Sequence, residues 1–363
     1  MKQLYAFPFY AKFALVLVIL LASIALLYLG QGVLAPLLMA LLFAILVEPV
    51  AAFLQRRLKL PNTAATSIAV VLFFLLFIVL FYFISLQLAG MADDWGKIKS
   101  NLNTHYANLQ RYIESSFGIT KEQQQQAISQ ASSESASTGK QLAGATLSSI
   151  TDSLLNLVLI PIYMFLILLY KKHFVKFLRD LVSEKHHAQL RDILATVKVS
   201  VRSYIVGLLI EMVIVSVLTA IGLSIIGVKY AILLGVVTGL LNLIPYIGIV
   251  VAGFLTIVAS LTGSTDGTLI IGILIVNIVV QFIDNNILVP MVVSSKVEIN
   301  AIASIVGIII GGLLGGIAGM FLAIPMIAIL KIIFDRVDSL RPWGYLLGDD
   351  LPKKVIWKRR FNA

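Results

Sequence analysis

Residues 64–86 read AATSIAVVLFFLLFIVLFYFISL, twenty-three positions without a charged, amide or histidine side chain. An α-helix rises about 1.5 Å per residue and a bilayer's hydrocarbon core is about 30 Å thick, so roughly 20 apolar residues make one crossing. This stretch is therefore read as a transmembrane helix. Comparable stretches lie at 13–29, 33–50, 154–170, 204–226 and 268–290. Two further runs, 230–260 and 301–334, are too long for one crossing. As straight rods they would extend about 46 to 51 Å, so they must tilt, break or re-enter. The expected fold class is all-α: a polytopic integral membrane protein with six full transmembrane helices, two long broken or re-entrant elements, eight apolar segments in all and an internal repeat.

Composition agrees with that reading. Of 363 residues, 59% are hydrophobic and 13% charged, whereas roughly a quarter of an ordinary soluble domain is charged. Lys2 and Lys12 before the first span resemble the start of a signal peptide. That span is longer than a typical signal core, and Tyr28-Leu29-Gly30-Gln31 offers no small-x-small cleavage site, so an uncleaved helix is expected.

The 28 Lys and Arg against 18 Asp and Glu leave a charge of +10, and their positions orient the chain. Lys2 and Lys12, then Arg56, Arg57 and Lys59, then eight basic residues from Lys171 to Arg202, then Lys353, Lys354, Lys358, Arg359 and Arg360 all fall on one side of the spans. By the positive-inside rule that side is cytoplasmic, with both termini inside and 87–153 outside. The charge belongs to membrane topology, and no nucleic-acid partner is expected. Five regions follow: 1–86, three membrane helices; 87–153, an extracytoplasmic segment; 154–203, a span plus a basic cytoplasmic amphipathic segment; 204–334, the transport core; and 335–363, a basic tail. With no cysteine, disulfides and thiolate chemistry are excluded. His173, His186 and His187 lack ligand spacing, so no metal or cofactor is expected.

In the outer segment, Ile98, Leu102, Tyr106, Leu109, Ile113 and Phe117 recur every three to four residues, the pattern of an amphipathic helix. Gln123 to Gln126 and the Ser-rich stretch from Ser129 to Thr138 read as a flexible link. On the inner side, Phe174, Phe177, Leu178 and Leu181, then Leu190, Ile193, Leu194 and Val197, suggest interfacial helices.

A shift of 80 positions aligns Ile225–Val250 with Ile305–Leu330 at ten identities in 26, pairing Gly227 with Gly307, Gly235 with Gly315, Gly239 with Gly319 and Pro245 with Pro325. Internal symmetry of this kind builds many secondary transporters, and interrupted hydrophobic segments in matching places point to the binding site. If the long runs each cross once, there are eight spans, the repeat is parallel and Glu211 and Asp284 face opposite sides. If both are hairpins, there are six spans, the two units are inverted, and the two acids each lie about 10 Å from the same, cytoplasmic, side, which favours the hairpins.

Acids inside spans are costly unless paired, protonated or wet, which makes each one a candidate for function. Glu48 sits near the cytoplasmic edge, where it is expected either to snorkel to the interface or to pair with Arg56 or Arg57. Glu211 and Asp284 lie deeper. Asp284-Asn285-Asn286 with Gln281 forms a polar cluster in an apolar helix, suited to a cation, a proton or a hydroxylated solute. Asn242, Pro245, Tyr246 and Gly248 interrupt the first long run; proline removes a backbone donor, and freed carbonyls survive at membrane depth only against protein or a wet cavity. Gly311, Gly312, Gly315, Gly316 and Gly319, followed by Pro325, give overlapping small-xxx-small spacing and imply close packing. Hydrolase, zincin and nucleotide-loop motifs are absent, so an enzyme and an ATP-driven pump are not expected.

Pro161-Ile-Tyr163, Gly227-Val-Lys-Tyr230-Ala231, Asn242 to Gly248, Asp284-Asn-Asn-Ile-Leu-Val-Pro290 and Gly312 to Pro325 stand in an order that resembles the autoinducer-2 exporter family of bacterial permeases. The resemblance runs from about Lys12 to Asp349. It implies a homo-oligomeric inner-membrane secondary transporter, with a pentamer as one expected assembly, in a family whose members are assigned to furanone export and, in some cases, to sodium/proton antiport. Leu208 and Ala301 stand where the family often carries Gln and Pro, and Glu211 adds an acid to a helix usually without one. The expected partners are thus the bilayer, further copies of the chain, and a small polar solute or a cation or proton. A non-transporting scaffold is the alternative from another class.

Overall fold

Every regular element among the described residues is helical, as expected where backbone groups in lipid must be satisfied within the segment. The computed structural model describes residues 8–126, 158–244, 247–260, 267–293 and 299–349. Six helices are long and apolar enough to cross a membrane: Gln31–Arg57, Asn62–Met91, Val158–Leu181, Glu184–Ile225, Thr268–Met291 and Ala301–Arg336. Ahead of them runs α1 (Phe9–Leu29). We number onward α2 (Gln31–Arg57), α3 (Asn62–Asp93), α4 (Trp95–Phe117), α5 (Val158–Leu181), α6 (His187–Ile225), α7 (Ala231–Asn242), α8 (Ile247–Ser260), α9 (Gly267–Ile283), α10 (Ala301–Arg336) and α11 (Arg341–Leu347).

The core is built around α2. Ala40, Val47 and Ala51 pack on Ala65 and Ala69 of α3 and on Met164 of α5. Leu42 packs with Val201, Tyr204 and Ile205 of α6 and Leu322 of α10. Alanines on the first face let the helices approach closely, which is how helices associate when lipid is as apolar as leucine. Phe43 adds rings at 5.1 Å from Phe73 and 6.2 Å from Phe321. Large side chains such as Leu76, Val79 and Phe81 point outward, the arrangement lipid rewards and water would not.

Both long runs turn back on themselves. Helices α7 and α8 hold 12 and 14 residues, about 18 and 21 Å, so neither crosses alone. In α10 the interruption lies at Gly315 and Gly316, the latter at φ 57° and ψ −140°. That conformation is essentially restricted to glycine. Packing shows the reversal: a Cβ on Gly311 would overlap the Gly319 carbonyl, and one on Gly307 would overlap the Ile327 side chain. In a continuous helix those pairs would be about 12 and 30 Å apart. The glycine series therefore brings two halves of one run together, where the spacing alone also allowed contact with another helix. Pro325 lies buried in the second half. Asn300 starts α10, accepting from Ala303 N–H at 2.8 Å, and donates through Nδ2 to Leu346 O at 2.7 Å, which holds α11 in place.

The two reversals do not occupy matching places in the 80-residue alignment. Gly315 is at the bend of α10, but its counterpart Gly235 is inside α7, against Ser216 and Ala220 of α6. Glycines can align because both places need small residues, one for a bend and the other for helix contact.

Three segments flanking the spans differ from the sequence expectation. Gln124 is buried and donates to Ile119 O at 2.8 Å and Gln110 O at 3.2 Å, folding 121–126 back onto α4. The Ser129 to Thr138 stretch lies outside the described residues, as do the side chains of Ile98, Leu102 and Leu109. In the basic segment, Phe174 to Leu181 and Leu190 to Val197 continue the apolar helices α5 and α6 rather than forming separate interfacial ones. No glycine or proline follows Pro161 before the turn at Ser183, so nothing ends α5 at the membrane edge. His187 Nε2 lies 3.0 Å from Val182 O and 3.1 Å from Arg179 O, closing that turn.

Candidate functional site

Three irregularities of the helical framework meet at one point. Glu211 lies in α6 and is 5% exposed; Asp284, 3% exposed, begins a π-helical segment, Asp284–Val293, at the end of α9. Asn242 ends α7 just before the chain reverses. Its Nδ2 donates to Glu211 Oε1 at 2.9 Å and to Asp284 Oδ2 at 3.2 Å. One amide nitrogen within hydrogen-bonding reach of both places the two carboxyl groups side by side. Pro290 lies inside the π segment, where its missing N–H and its ring against the preceding turn disfavour regular α-helical bonding.

Bringing Asn242 to Glu211 depends on how α7 lies along α6. Gly235 and Gly239 face Met212, Ser216 and Ala220, and a Cβ on either glycine would collide with the α6 backbone. The missing side chains let the two helices run antiparallel in contact. Gly248 is used similarly across the reversal, where a Cβ would overlap the Leu241 carbonyl. Pro245 and Tyr246 lie outside the described residues.

The remaining polar residues divide. Gln281 Nε2 lies 3.5 Å from Asp284 Oδ2 and donates to Asn285 Oδ1 at 3.0 Å. Asn285 and Asn286 are exposed and do not join the buried group; Asn286 Nδ2 instead donates to Phe282 O at 2.8 Å. Among the described residues, Glu211 Oε2 and Asp284 Oδ1 are buried with no hydrogen-bond partner, as are the hydroxyls of Thr219 and Thr238. These threonines were not singled out in the sequence. Their signal was faint: Thr219 is two helical repeats of four beyond Glu211, and Thr238 is four before Asn242.

Glu48 does not pair with Arg56 or Arg57. Its Oε1 accepts from Lys171 of α5, and its Oε2 from Lys198 of α6 at 2.6 Å. Arg56 is eight residues along the same helix, about 12 Å away, while the neighbouring helices present lysines directly.

A polar junction on the opposite side also escaped sequence reasoning. Asp94, between α3 and α4, accepts from Lys229 and from Lys97 at 2.9 Å, and the Tyr230 hydroxyl donates to it at 2.8 Å. Lys229 first, then Lys97 and Tyr230, hold the Asp94 carboxyl well below the usual carboxylate range. The same contact raises Lys229 and Tyr230. A carboxylate and a Lys-Tyr pair at span ends expected on one side were the available signal.

The sequence profile described as AI-2E family transporter matches residues 17–339. The chain belongs to the AI-2E transporter family. Among its relatives, this AI-2E family member is 28% identical over 324 residues to "Putative permease PerM" of Escherichia coli (strain K12), covering 87% of this chain and 91% of that protein. It is 24% identical over 324 residues to "Putative transport protein YueF" of Bacillus subtilis (strain 168), covering 84% of each. A shorter match, 27% over 142 residues, reaches "Putative transport protein YrrI" of the same organism and spans 40% of that protein. The AI-2E chain is thus a multi-pass membrane protein of a transporter family.

Proposed function

We propose that this chain is a secondary transporter of the bacterial inner membrane, moving a small polar solute without ATP through a route past Glu211, Asn242 and Asp284. Both termini are cytoplasmic in this reading, and the two folded-back elements, α7–α8 and α10, enter from opposite sides. The observation that carries it is the buried carboxyl pair sharing one amide donor, with an oxygen of each left unmatched. Unmatched buried acceptors are costly, and a passing hydroxylated solute would offset that cost by donating to them. The unmatched hydroxyls of Thr219 and Thr238 extend the polar line along α6 and α7 toward the Asp94 side. Homo-oligomerisation through the exposed apolar faces completes this proposal.

The same pair favours a second reading, sodium/proton antiport. Two carboxylates away from water require a positive charge to offset their repulsion, and a proton and a sodium ion exchanging at that place would be coupled by competition.

The test is flux in proteoliposomes, with the furanone, sodium and protons compared side by side. Asp284→Asn is expected to lower transport at least about tenfold with expression and assembly intact. Furanone uptake without sodium-dependent proton release supports the first reading; sodium-dependent proton release without furanone movement supports the second. Full activity of Asp284→Asn removes the pair from the mechanism.

A further inference from the structure

Away from the buried acids, the inner ends of α2 and α6 form a cleft of about 630 Å³ whose walls include Arg56, Arg57, Lys198 and Arg202, together with Glu48 and Phe53. Four cations face one carboxylate, and that carboxylate is already engaged by Lys198 and by Lys171 from α5. Arg56, Arg57 and Arg202 are left without an ion-pair partner among the described residues. Phe53, 60% exposed, forms an apolar wall beside them.

We propose that this cleft seats the phosphate of an anionic phospholipid drawn from the leaflet that covers the basic ends of α2 and α6. Arginine suits this ligand because its planar fork gives paired hydrogen bonds to phosphate oxygens. Position and wall composition select a lipid over a free ion. The cleft opens at the polar boundary of the bilayer, and basic pockets between transmembrane helices at that level bind anionic head groups. Phe53 gives the first methylenes of an acyl chain an apolar surface, which a free phosphate would not use. The Glu48 bridge prearranges the site: Lys171 and Lys198 neutralise the one acid in the cleft, so the arginines act on an incoming anion without an internal competitor. A lipid phosphate here would join the first membrane region to the helix carrying Glu211, since Arg56 and Arg57 belong to α2 and Arg202 lies nine residues before Glu211 in α6.

The full chain in neutral detergent provides the test, and its result does not depend on which solute is carried. Dioctanoyl-phosphatidylglycerol, dioctanoyl-phosphatidylcholine and inorganic phosphate are titrated separately, with binding read from the thermal unfolding midpoint. The expected result is saturable stabilisation by phosphatidylglycerol, at least about tenfold tighter than by phosphatidylcholine, and little competition from inorganic phosphate. Arg57→Gln with Arg202→Gln should weaken phosphatidylglycerol binding about tenfold or more, while Arg57→Lys with Arg202→Lys retains most of it. Lys172→Gln with Lys176→Gln removes the same charge from the exposed side of α5 and should change binding less than about twofold. If the paired glutamine variant does not fold, Arg57→Gln alone, at an exposed position, should still weaken binding about threefold or more. Equal losses in the cleft and α5 variants would overturn the proposal in favour of diffuse attraction. Inorganic phosphate competing as strongly as the lipid binds would overturn the lipid as occupant.

Discussion

The two folded-back runs reach similar shapes by different chemistry. Between α7 and α8 the chain reverses immediately after Asn242, and the reversal places an amide between two buried acids. In α10 it reverses at Gly315 and Gly316, where nothing polar is presented and the halves meet backbone to backbone through Gly311 and Gly319. The first bend supplies the candidate site of the transport proposal; the second makes a close-packed support. The difference teaches that an interrupted membrane helix is not by itself a binding element. What decides is the residue delivered by the interruption.

Three substitutions would sharpen or break this comparison. The largest effect is expected at the supporting bend: Gly311→Leu places a side chain where the Gly319 carbonyl lies, and the halves must separate. Loss of monodisperse protein on size exclusion is the expected outcome, since overpacking against backbone exceeds the usual cost of about 1–3 kcal/mol. A variant with unchanged yield and melting temperature would mean that the halves do not touch. Next comes Gly316→Ala, where no neighbour lies within 4 Å of the added Cβ and the cost is conformational. About 1–3 kcal/mol of destabilisation should appear as a lower melting temperature with transport specificity unchanged.

The smallest effect is expected at Asp94, which ties the start of α7 to the end of α3. Its folded-state pKa is lowered by Lys229, Lys97 and Tyr230, so its contribution is fully present above the ordinary carboxylate pKa and fades as pH falls through the lowered one. Asp94→Asn should therefore melt slightly below the parent protein at pH 7, and the gap should narrow in strong acid. A gap that widens on acidification would reverse the assignment of charge at this junction.

The spans were legible because a run of about 20 apolar residues is a local property. Overlength likewise exposed 301–334 as broken, but not the place of the break, since Gly315 and Gly316 differ from their glycine neighbours in conformation and not in composition. Glu211, Asn242 and Asp284 were each readable as costly or disruptive residues. Their meeting was not, because it depends on α6, α7 and the π segment converging across 31 and 42 residues of chain. Glu48 was assigned its nearest basic residues in sequence, whereas its partners are set by helix packing at Lys171 and Lys198. Asn285 and Asn286 illustrate the opposite error: adjacency to Asp284 suggested one cluster, but successive residues on a helix point in different directions.

The seam between α6 and α7 has a mechanical corollary. Ser216 and Ala220 of α6 sit in the gaps left by Gly235 and Gly239, so the register of the two helices is keyed by small side chains, and the bond from Asn242 to Glu211, 2.9 Å long, exists only in that register. A slip of one residue, about 1.5 Å, is enough to break it. The height of the shorter helix and the hydrogen bonding of the two acids are therefore one variable and not two.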